Sequence, residues 1–198
     1  MTNGTFAGFV YGKLSNTDFT DGSANTGGVS SRSLNQPAHM AIDSNDRLYV
    51  CDSGNNRVLV FSSKNPIATF VYGQANFSSN PVNRGGGTQA NSLNRPIGIA
   101  VSAPDNVIYI GDTNNHRVLK WAIGASSATV ALGQSSLTAA TCGCGSGLCQ
   151  PMGLALDVSG NLYGAQFSLF FSASCCCLDL FAQWLMQETI AWSDFLQA

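Results

Sequence analysis

Residues 34–61 read LNQPAHMAIDSNDRLYVCDSGNNRVLVF, and residues 93–121 read LNRPIGIAVSAPDNVIYIGDTNNHRVLKW. The first half of this block appears a third time as LCQPMGLALDVSGNLY at residues 148–163. Asp52 and its counterpart Asp112 are 60 residues apart. Self-similarity at a fixed period is the signature of a repeat architecture, in which each copy contributes one supersecondary unit.

Each copy consists of short apolar and β-branched runs separated by turn-forming residues. In the first copy these runs lie at 38–42, 47–51, 57–61 and 68–72. Runs of this length between Ser, Asn, Asp and Gly clusters predict four antiparallel strands. One such sheet cannot bury both of its faces, so successive copies must stack, and radial closure into a propeller is the usual solution.

The strand, turn and strand pattern at 48–61 and 108–121 resembles the NHL repeat, which belongs to a family of six-bladed β-propellers. FVYGKLSNTDF at 9–19 and FVYGQANF at 70–77 are similar to the tyrosine-glycine linker strand of family members with long repeats. The resemblance covers about residues 9–165. It implies an all-β fold, a partial β-propeller with four-stranded antiparallel blades.

We therefore divide the chain into a partial propeller over 1–165 and a non-repeat tail over 166–198. The propeller part is predicted to hold the last strand of a preceding blade, two complete blades and half of another. These lie at 9–12, 34–72, 93–132 and 148–165. Because six blades of this period need about 360 residues, we expect a protein partner or remaining blades to complete the ring.

The tail begins where the third copy stops matching, since Gln166 and Phe171 stand where the first copy has Asp52 and Arg57. Three alternatives remain open for it: a packing helix, a membrane span at 167–186, or a segment foreign to the fold. An acidic residue inside the span and the lack of flanking Lys or Arg disfavour the membrane alternative.

The composition argues against a nucleic-acid partner. Charged residues make up 10% of the chain, the formal net charge is -2, and all nine Lys and Arg residues lie at or before Lys120. A nucleic-acid surface needs clustered cations that follow the phosphates. We therefore favour no nucleic-acid partner.

Two acid and base pairs recur in the hairpins, Asp52 with Arg57 and Asp112 with Arg117. Across such a turn the carboxylate can accept backbone N–H groups while the guanidinium pairs with it. A unique catalytic site rarely appears in every blade, so we predict structural hairpin staples. We assign no catalytic residue.

The turns inside these pairs present Asn55, Asn56, Asn115 and His116, which we predict to form a binding rim. The chain has two histidines and a single glutamate, Glu188, in the tail. This supply of ligands is too poor for a metal site of the kind that propeller enzymes hold. We predict no metal and no cofactor.

Cys142, Cys144 and Cys149 form a C-x-C-x4-C motif in the loop before the third copy. Zinc would want a fourth ligand, and the sequence shows none nearby. A disulfide from Cys149 to Cys142 or Cys144 is therefore predicted. Cys51 alternates with apolar residues in a strand and is predicted to be a small buried side chain.

These observations favour a non-enzymatic binding or scaffold module that presents a propeller rim and interblade loops to another macromolecule. Two alternatives stay open: a fragment of a propeller enzyme of the metal-dependent lyase or lactonase kind, and an RNA-binding NHL propeller. The first requires His and acidic ligands in further blades, and the second requires a basic face.

The cellular location is left open by conflicting signals. The N-terminus lacks the charged and apolar regions of a signal peptide. Glycosylation sequons at Asn3 and Asn76 and the crowded cysteines suit an extracellular protein. Extracellular and intracellular locations are therefore both retained.

Overall fold

The computed structural model describes residues 9–15, 19–142, 147–166 and 190–191. The first sheet contains β1 (Pro37–Ile42), β2 (Leu48–Asp52), β3 (Arg57–Phe61) and β4 (Ala68–Tyr72). The second contains β5 (Pro96–Ser102), β6 (Val107–Asp112), β7 (Arg117–Ala122) and β8 (Val130–Leu132). The third contains β9 (Pro151–Leu156), β10 (Leu162–Gln166) and β11 (Ile190–Ala191).

The strands of each sheet pair in chain order and antiparallel. This confirms the predicted four-stranded antiparallel units. A short 3-10 turn joins the second and third strands of each complete sheet, at Ser53–Asn55 and Thr113–Asn115. The residues that close these turns, Asn56 and His116, have φ of 53° and 55°. The left-handed region is one that Asn and His occupy several-fold more often than most residues.

β2 begins one residue later than the pattern predicts. The backbone N–H of Arg47 donates to Asp43 Oδ1 at 3.0 Å, and Arg47 Nε donates to Asp43 Oδ2 at 2.6 Å. Tyr49 Oη also donates to Asp43 Oδ2, at 3.0 Å. Burial alone would raise the pKa of the Asp43 carboxyl, but these hydrogen bonds together lower it. Arg47 thus closes the turn and β2 begins at Leu48.

The sheets pack face to face around separate apolar cores. Between the first and second sheets, Cys51 and Val58 lie against Ile110 and Leu119, all fully or almost fully buried. The core between the second and third sheets is formed by Ala100, Val118, Leu148, Leu154 and Leu162. Stacked antiparallel sheets of this kind are successive blades of a partial β-propeller. The predicted fold class is confirmed, and we call the sheets blade 1, blade 2 and blade 3.

Residues 9–12, predicted as the last strand of a preceding blade, do not form a strand, and the backbone bends at Tyr11 and Gly12. Tyr11 packs edge-on against Phe61 of blade 1 with ring centroids 5.0 Å apart. Tyr72 packs the same way against Trp121 of blade 2, at 5.6 Å. The segment therefore occupies the place of an outer strand. It lacks strand pairing because no other strand in the described ranges lies beside it.

Within the tail the structure describes the backbone of Gln166, the last residue of β10, and of β11. Ile190 and Ala191 pair with Gly164 and Tyr163 of β10, so the predicted helix is not formed at these two residues. The remainder of the tail, including the candidate span at 167–186, lies outside the described residues. Among the residues that are described, no helix is long and apolar enough to cross a membrane.

Candidate functional site

The pair of Asp52 and Arg57 lies at the end of the hairpin between β2 and β3. Arg57 Nε is 2.6 Å from Asp52 Oδ2, and neither side chain is exposed. Arg57 Nη2 donates to the carbonyls of Ser30 and Ser33, both at 2.9 Å. Its Nη1 donates to the carbonyl of Phe77 at 2.5 Å. One guanidinium thus binds the loops before and after blade 1.

Asp112 and Arg117 repeat this arrangement in blade 2. Arg117 Nε is 2.7 Å from Asp112 Oδ2, and both side chains are again fully buried. Arg117 donates to the carbonyls of Gln89 at 2.8 Å, Ser92 at 3.1 Å and Leu137 at 2.5 Å. The guanidinium therefore links the two loops that flank blade 2. This geometry is that of a structural staple.

Each carboxylate has further N–H donors. Asp52 Oδ1 accepts the backbone N–H of Asn35 at 2.6 Å, and Oδ2 accepts Asn55 Nδ2 at 2.8 Å. The second copy repeats both bonds at 2.7 and 2.8 Å. Burial raises the pKa of the Asp52 carboxyl, while the charge of Arg57 and these hydrogen bonds oppose the rise. The oxygens are occupied inside the protein, which leaves them unsuited to a substrate or a metal.

The prediction of a binding rim was wrong for Asn55 and Asn115. Their exposed fractions are 0% and 3%. The Asn55 amide exchanges hydrogen bonds of 3.0 and 2.8 Å with Asn25, and Asn115 exchanges bonds of 3.2 and 2.8 Å with Asn83. A short side chain inside a turn is buried when a neighbouring loop folds over it. These amides hold the interblade loops in place.

Asn56 and His116, the other predicted rim residues, remain half-buried. Asn56 Oδ1 accepts the backbone N–H of Arg95 at 2.9 Å, and its Nδ2 donates to the carbonyl of Asn80 at 3.0 Å. His116 Nδ1 accepts the backbone N–H of Gln150 at 3.3 Å. Both residues thus join their turn to the start of the next blade while keeping part of their surface in solvent.

The cysteine loop lies against His116. Cys142 and Cys149 are joined by a disulfide, one of the two predicted pairings, and Cys144 lies outside the described residues. One imidazole nitrogen of His116 lies within 4.8 Å of both sulfur atoms. Burial lowers the pKa of the His116 imidazole. His116, which the sequence pattern did not connect with the cysteines, is therefore their neighbour.

The other cysteine and histidine in the blades contact the backbone of blade 2. His39 Nδ1 accepts the N–H of Ile99 at 3.2 Å. Cys51 Sγ donates to the carbonyl of Gly98 at 3.6 Å, and burial raises the pKa of this thiol. Both side chains fasten blade 1 to blade 2.

Gln74 and Gln134 were missed as site residues. Gln74 Nε2 donates to the carbonyls of Asn56 at 3.0 Å and Pro81 at 2.9 Å. Gln134 Nε2 donates to the carbonyl of His116 at 2.6 Å and to a second loop carbonyl at 2.8 Å. The recurrence of Gly-Gln after β4 and β8 was the available signal. These glutamines anchor the far side of the interblade loops.

Stacked four-stranded sheets with one staple in each complete hairpin define a partial β-propeller. The model of the NHL repeat matches residues 34–61 and 93–121, which are the two stapled copies. In these two stretches the chain is similar to the NHL repeat, and its fold is that of a partial β-propeller.

The curated relatives carry the same repeat in their names. The chain is 30% identical to NHL repeat-containing protein 2 of Homo sapiens over 98 residues, and 32% identical to that of Bos taurus over 85 residues. These alignments cover 49% and 42% of the chain but only 12% and 11% of the relatives. The chain therefore matches a small part of the length of these proteins.

Solved structures with a similar chain path include hydrazine synthase of Kuenenia stuttgartiensis and virginiamycin B lyase from Staphylococcus aureus. The first has a TM-score of 0.48 at 12% identity and covers 71% of this chain and 32% of that one. The second has a TM-score of 0.41 at 12% identity and covers 66% and 34%.

Proposed function

We propose that this chain is a non-enzymatic binding module, in which interblade loops and hairpin turns form a recognition surface for another polypeptide. The observation that carries the proposal is that the buried charged pairs bind the backbone of the interblade loops. Asp52, Arg57, Asp112 and Arg117 are fully buried and hydrogen-bonded to loop backbone. Their hydrogen bonds hold the loops in defined positions, and a recognition surface requires this preorganisation.

The proposed surface lies at the hairpin end of blade 1 and consists of Asn56, Asn80, Val82, Arg84 and Arg95; we call it the loop surface. Asn56 binds the backbone at Asn80 and Arg95, so these residues are adjacent. Val82 is 49% exposed, and both arginines are exposed. An apolar side chain with cations near it suits a peptide that carries apolar and acidic residues.

Blade 1 also offers a face for a further blade or a partner protein. Met40 and Ile42 of the edge strand β1 are 62% and 66% exposed. The corresponding residues of β5, Ile99 and Val101, pack in the core between blades 1 and 2. A covering neighbour on blade 1 would bury Met40 and Ile42 in the same way, as exposed apolar patches commonly indicate.

The distribution of cations supports a protein rather than a nucleic-acid partner. All nine Lys and Arg residues fall within the described ranges. Arg57 and Arg117 are buried, and Arg47 and Lys13 pair with Asp43 and Asp21. Five cations remain over three blades, fewer than a phosphate-following stripe requires.

The test uses peptide selection with two matched charge reversals. A random peptide library is selected against the purified chain, and the dissociation constants of the selected peptides are measured by calorimetry. Arg84→Glu alters the loop surface, whereas Lys64→Glu alters an exposed residue at the opposite end of β3. We expect Arg84→Glu to weaken binding at least tenfold and Lys64→Glu to leave it within twofold.

The proposal fails if no peptide binds above background, or if both reversals weaken binding equally. Metal-dependent turnover of lactone or cyclic-ester substrates by the chain would also overturn it, because that result would assign an enzyme.

A further inference from the structure

The junction between blades 2 and 3 departs from the repeat at two positions that meet in space. His116 stands where blade 1 has Asn56, and Cys149 stands where the earlier copies have Asn35 and Asn94. His116 keeps the bond that Asn56 makes, since each accepts a backbone N–H at the start of the next blade. The substitution therefore preserves the turn and adds a titratable ring.

The two cysteines of this junction differ in exposure. Cys142 is exposed and Cys149 is half-buried. Cys149 directly follows Leu148, which is 5% exposed and packs in the core between blades 2 and 3. Cys142 is therefore the cysteine of the pair that an external thiolate can approach, while Cys149 is anchored next to the core.

His116 lies beside both sulfur atoms of the disulfide. Its Nδ1 accepts a hydrogen bond from Gln150 N–H, so the proton of the neutral ring is on Nε2. An imidazole nitrogen lies within 4.8 Å of both sulfurs. A nearby imidazole N–H or imidazolium favours a thiolate over a thiol, and a better leaving thiolate accelerates exchange.

We propose that Cys142–Cys149 is a thiol-exchange site for low-molecular-weight thiols, with His116 as its positioning residue. The thiolate of a small thiol attacks Cys142 Sγ, the Cys142–Cys149 bond breaks, and the electron pair leaves on Cys149 Sγ, which His116 stabilises. The product is a mixed disulfide at Cys142. A second thiol of the same class attacks the mixed disulfide, leaving two cysteine thiols and one oxidised small-molecule disulfide.

Exchange at this position changes the junction between blades. The disulfide joins two cysteines that are seven positions apart, between the end of blade 2 and the start of β9. Breaking it removes the covalent closure of that loop, whereas the corresponding loop between blades 1 and 2 has no cysteine. The redox state thus acts on the attachment of blade 3 to blade 2.

The first test measures reduction of the folded protein by glutathione, with mass spectrometry to follow Cys142 and Cys149. The matched variant is His116→Asn, which installs the residue of blade 1 and retains a side-chain acceptor for the backbone N–H of Gln150. We expect a mixed disulfide on Cys142 and not on Cys149, and we expect His116→Asn to slow reduction about threefold. Circular dichroism checks that both proteins are folded.

The second test separates an effect on the thiolate from an effect on structure. In Cys142→Ser, iodoacetamide alkylation of Cys149 is followed against pH, and the profile is compared with Cys142→Ser/His116→Asn. We expect the alkylation midpoint of Cys149 to lie at a lower pH when His116 is present. A purely structural histidine would leave this midpoint unmoved.

Three results would overturn the proposal. The first is equal reduction rates with and without His116, together with equal alkylation profiles. The second is reduction only under conditions that unfold the chain. The third is stoichiometric zinc binding by the reduced protein that is lost in His116→Asn, because that result would assign a metal site.

Discussion

Met40 in β1 and Ile99 in β5 occupy the same place in their repeats, yet Met40 is 62% exposed and Ile99 is 1% exposed. Their strands do not explain the difference, since Met40 pairs with Val50 and Ile99 pairs with Ile110 in equivalent registers. Blade 2 has a neighbouring blade on this face, whereas among the described residues blade 1 has only the segment around Tyr11 there. The face of a blade is thus completed by its neighbour.

The staple behaves differently because blade 1 makes it with its own flanking loops. Asp52 and Arg57 are as fully buried as Asp112 and Arg117, and the distances agree within 0.1 Å. The effect of a substitution on a blade face should therefore depend on the neighbouring blade. The effect of a substitution in a charged pair should not.

The largest expected effect is the loss of a staple arginine. Arg117→Met leaves the Asp112 carboxylate buried without its cation and removes the donor from three loop carbonyls. We expect the free energy of unfolding to fall by about 3–5 kcal/mol, measured by urea denaturation. Arg57→Met should cost a similar amount because its contacts are equivalent.

Arg84→Met is the control for these substitutions, since Arg84 is exposed. It should change the free energy of unfolding by less than about 0.5 kcal/mol. A loss below about 1 kcal/mol for both staple variants would contradict a structural role for the staples.

The next largest effect is expected at Ile99 and Met40. Ile99→Ala leaves a cavity between blades 1 and 2, and we expect a loss of about 2–5 kcal/mol. Met40→Ala removes an exposed side chain and should cost less than about 0.5 kcal/mol. Urea denaturation of both variants checks the contrast. Equal losses would mean that Met40 is already covered in solution, for example by self-association.

A smaller effect is expected at the glycine that follows β4. Gly73 has a φ of +85°, and an added Cβ would lie 2.5 Å from Leu93 Cδ1. Gly73→Ala combines a left-handed backbone with overpacking, and we expect a loss of about 2–3 kcal/mol.

Gly124→Ala separates the two contributions, because Gly124 has a φ of +81° and no atom within 4 Å of an added Cβ. Its loss should be about 1 kcal/mol from the backbone alone. If both alanine variants are equally destabilised in urea, packing against Leu93 contributes nothing.

The smallest effect is the pH dependence that His116 contributes. Burial lowers its folded-state pKa below the unfolded value, so the folded state binds the proton more weakly. The contribution of His116 to the free energy of unfolding should therefore be fully present above the unfolded pKa of about 6.5 and fall as the pH drops below it. Urea midpoints between pH 5 and 8 measure this slope, and His116→Asn should reduce it. An unchanged slope would exclude His116 as its source.

Repetition in the sequence was sufficient to predict the blades and the staples. A pair such as Asp52 and Arg57 is local, since both residues flank one turn, and local geometry follows from residue type and spacing. The strands of blade 1 were predicted to within a residue or two for the same reason.

Predictions that depended on neighbouring loops were less accurate. Asn55 and Asn115 were expected to be exposed, but Asn25 and Asn83 from the preceding loops cover them. The segment at 9–12 was expected to be a strand, yet strand pairing requires a second strand beside it. For the two asparagines the deciding partner is distant in sequence and carries no local pattern.

The amino-acid sequence by itself determined the repeat, the antiparallel sheets and the buried charge pairs, because hydrophobic alternation and turn chemistry act over a few residues. The tertiary structure alone decided which faces are covered and that His116 meets the Cys142–Cys149 disulfide. These features depend on loop closure and blade stacking, which bring together side chains that are 26 to 33 residues apart in the chain.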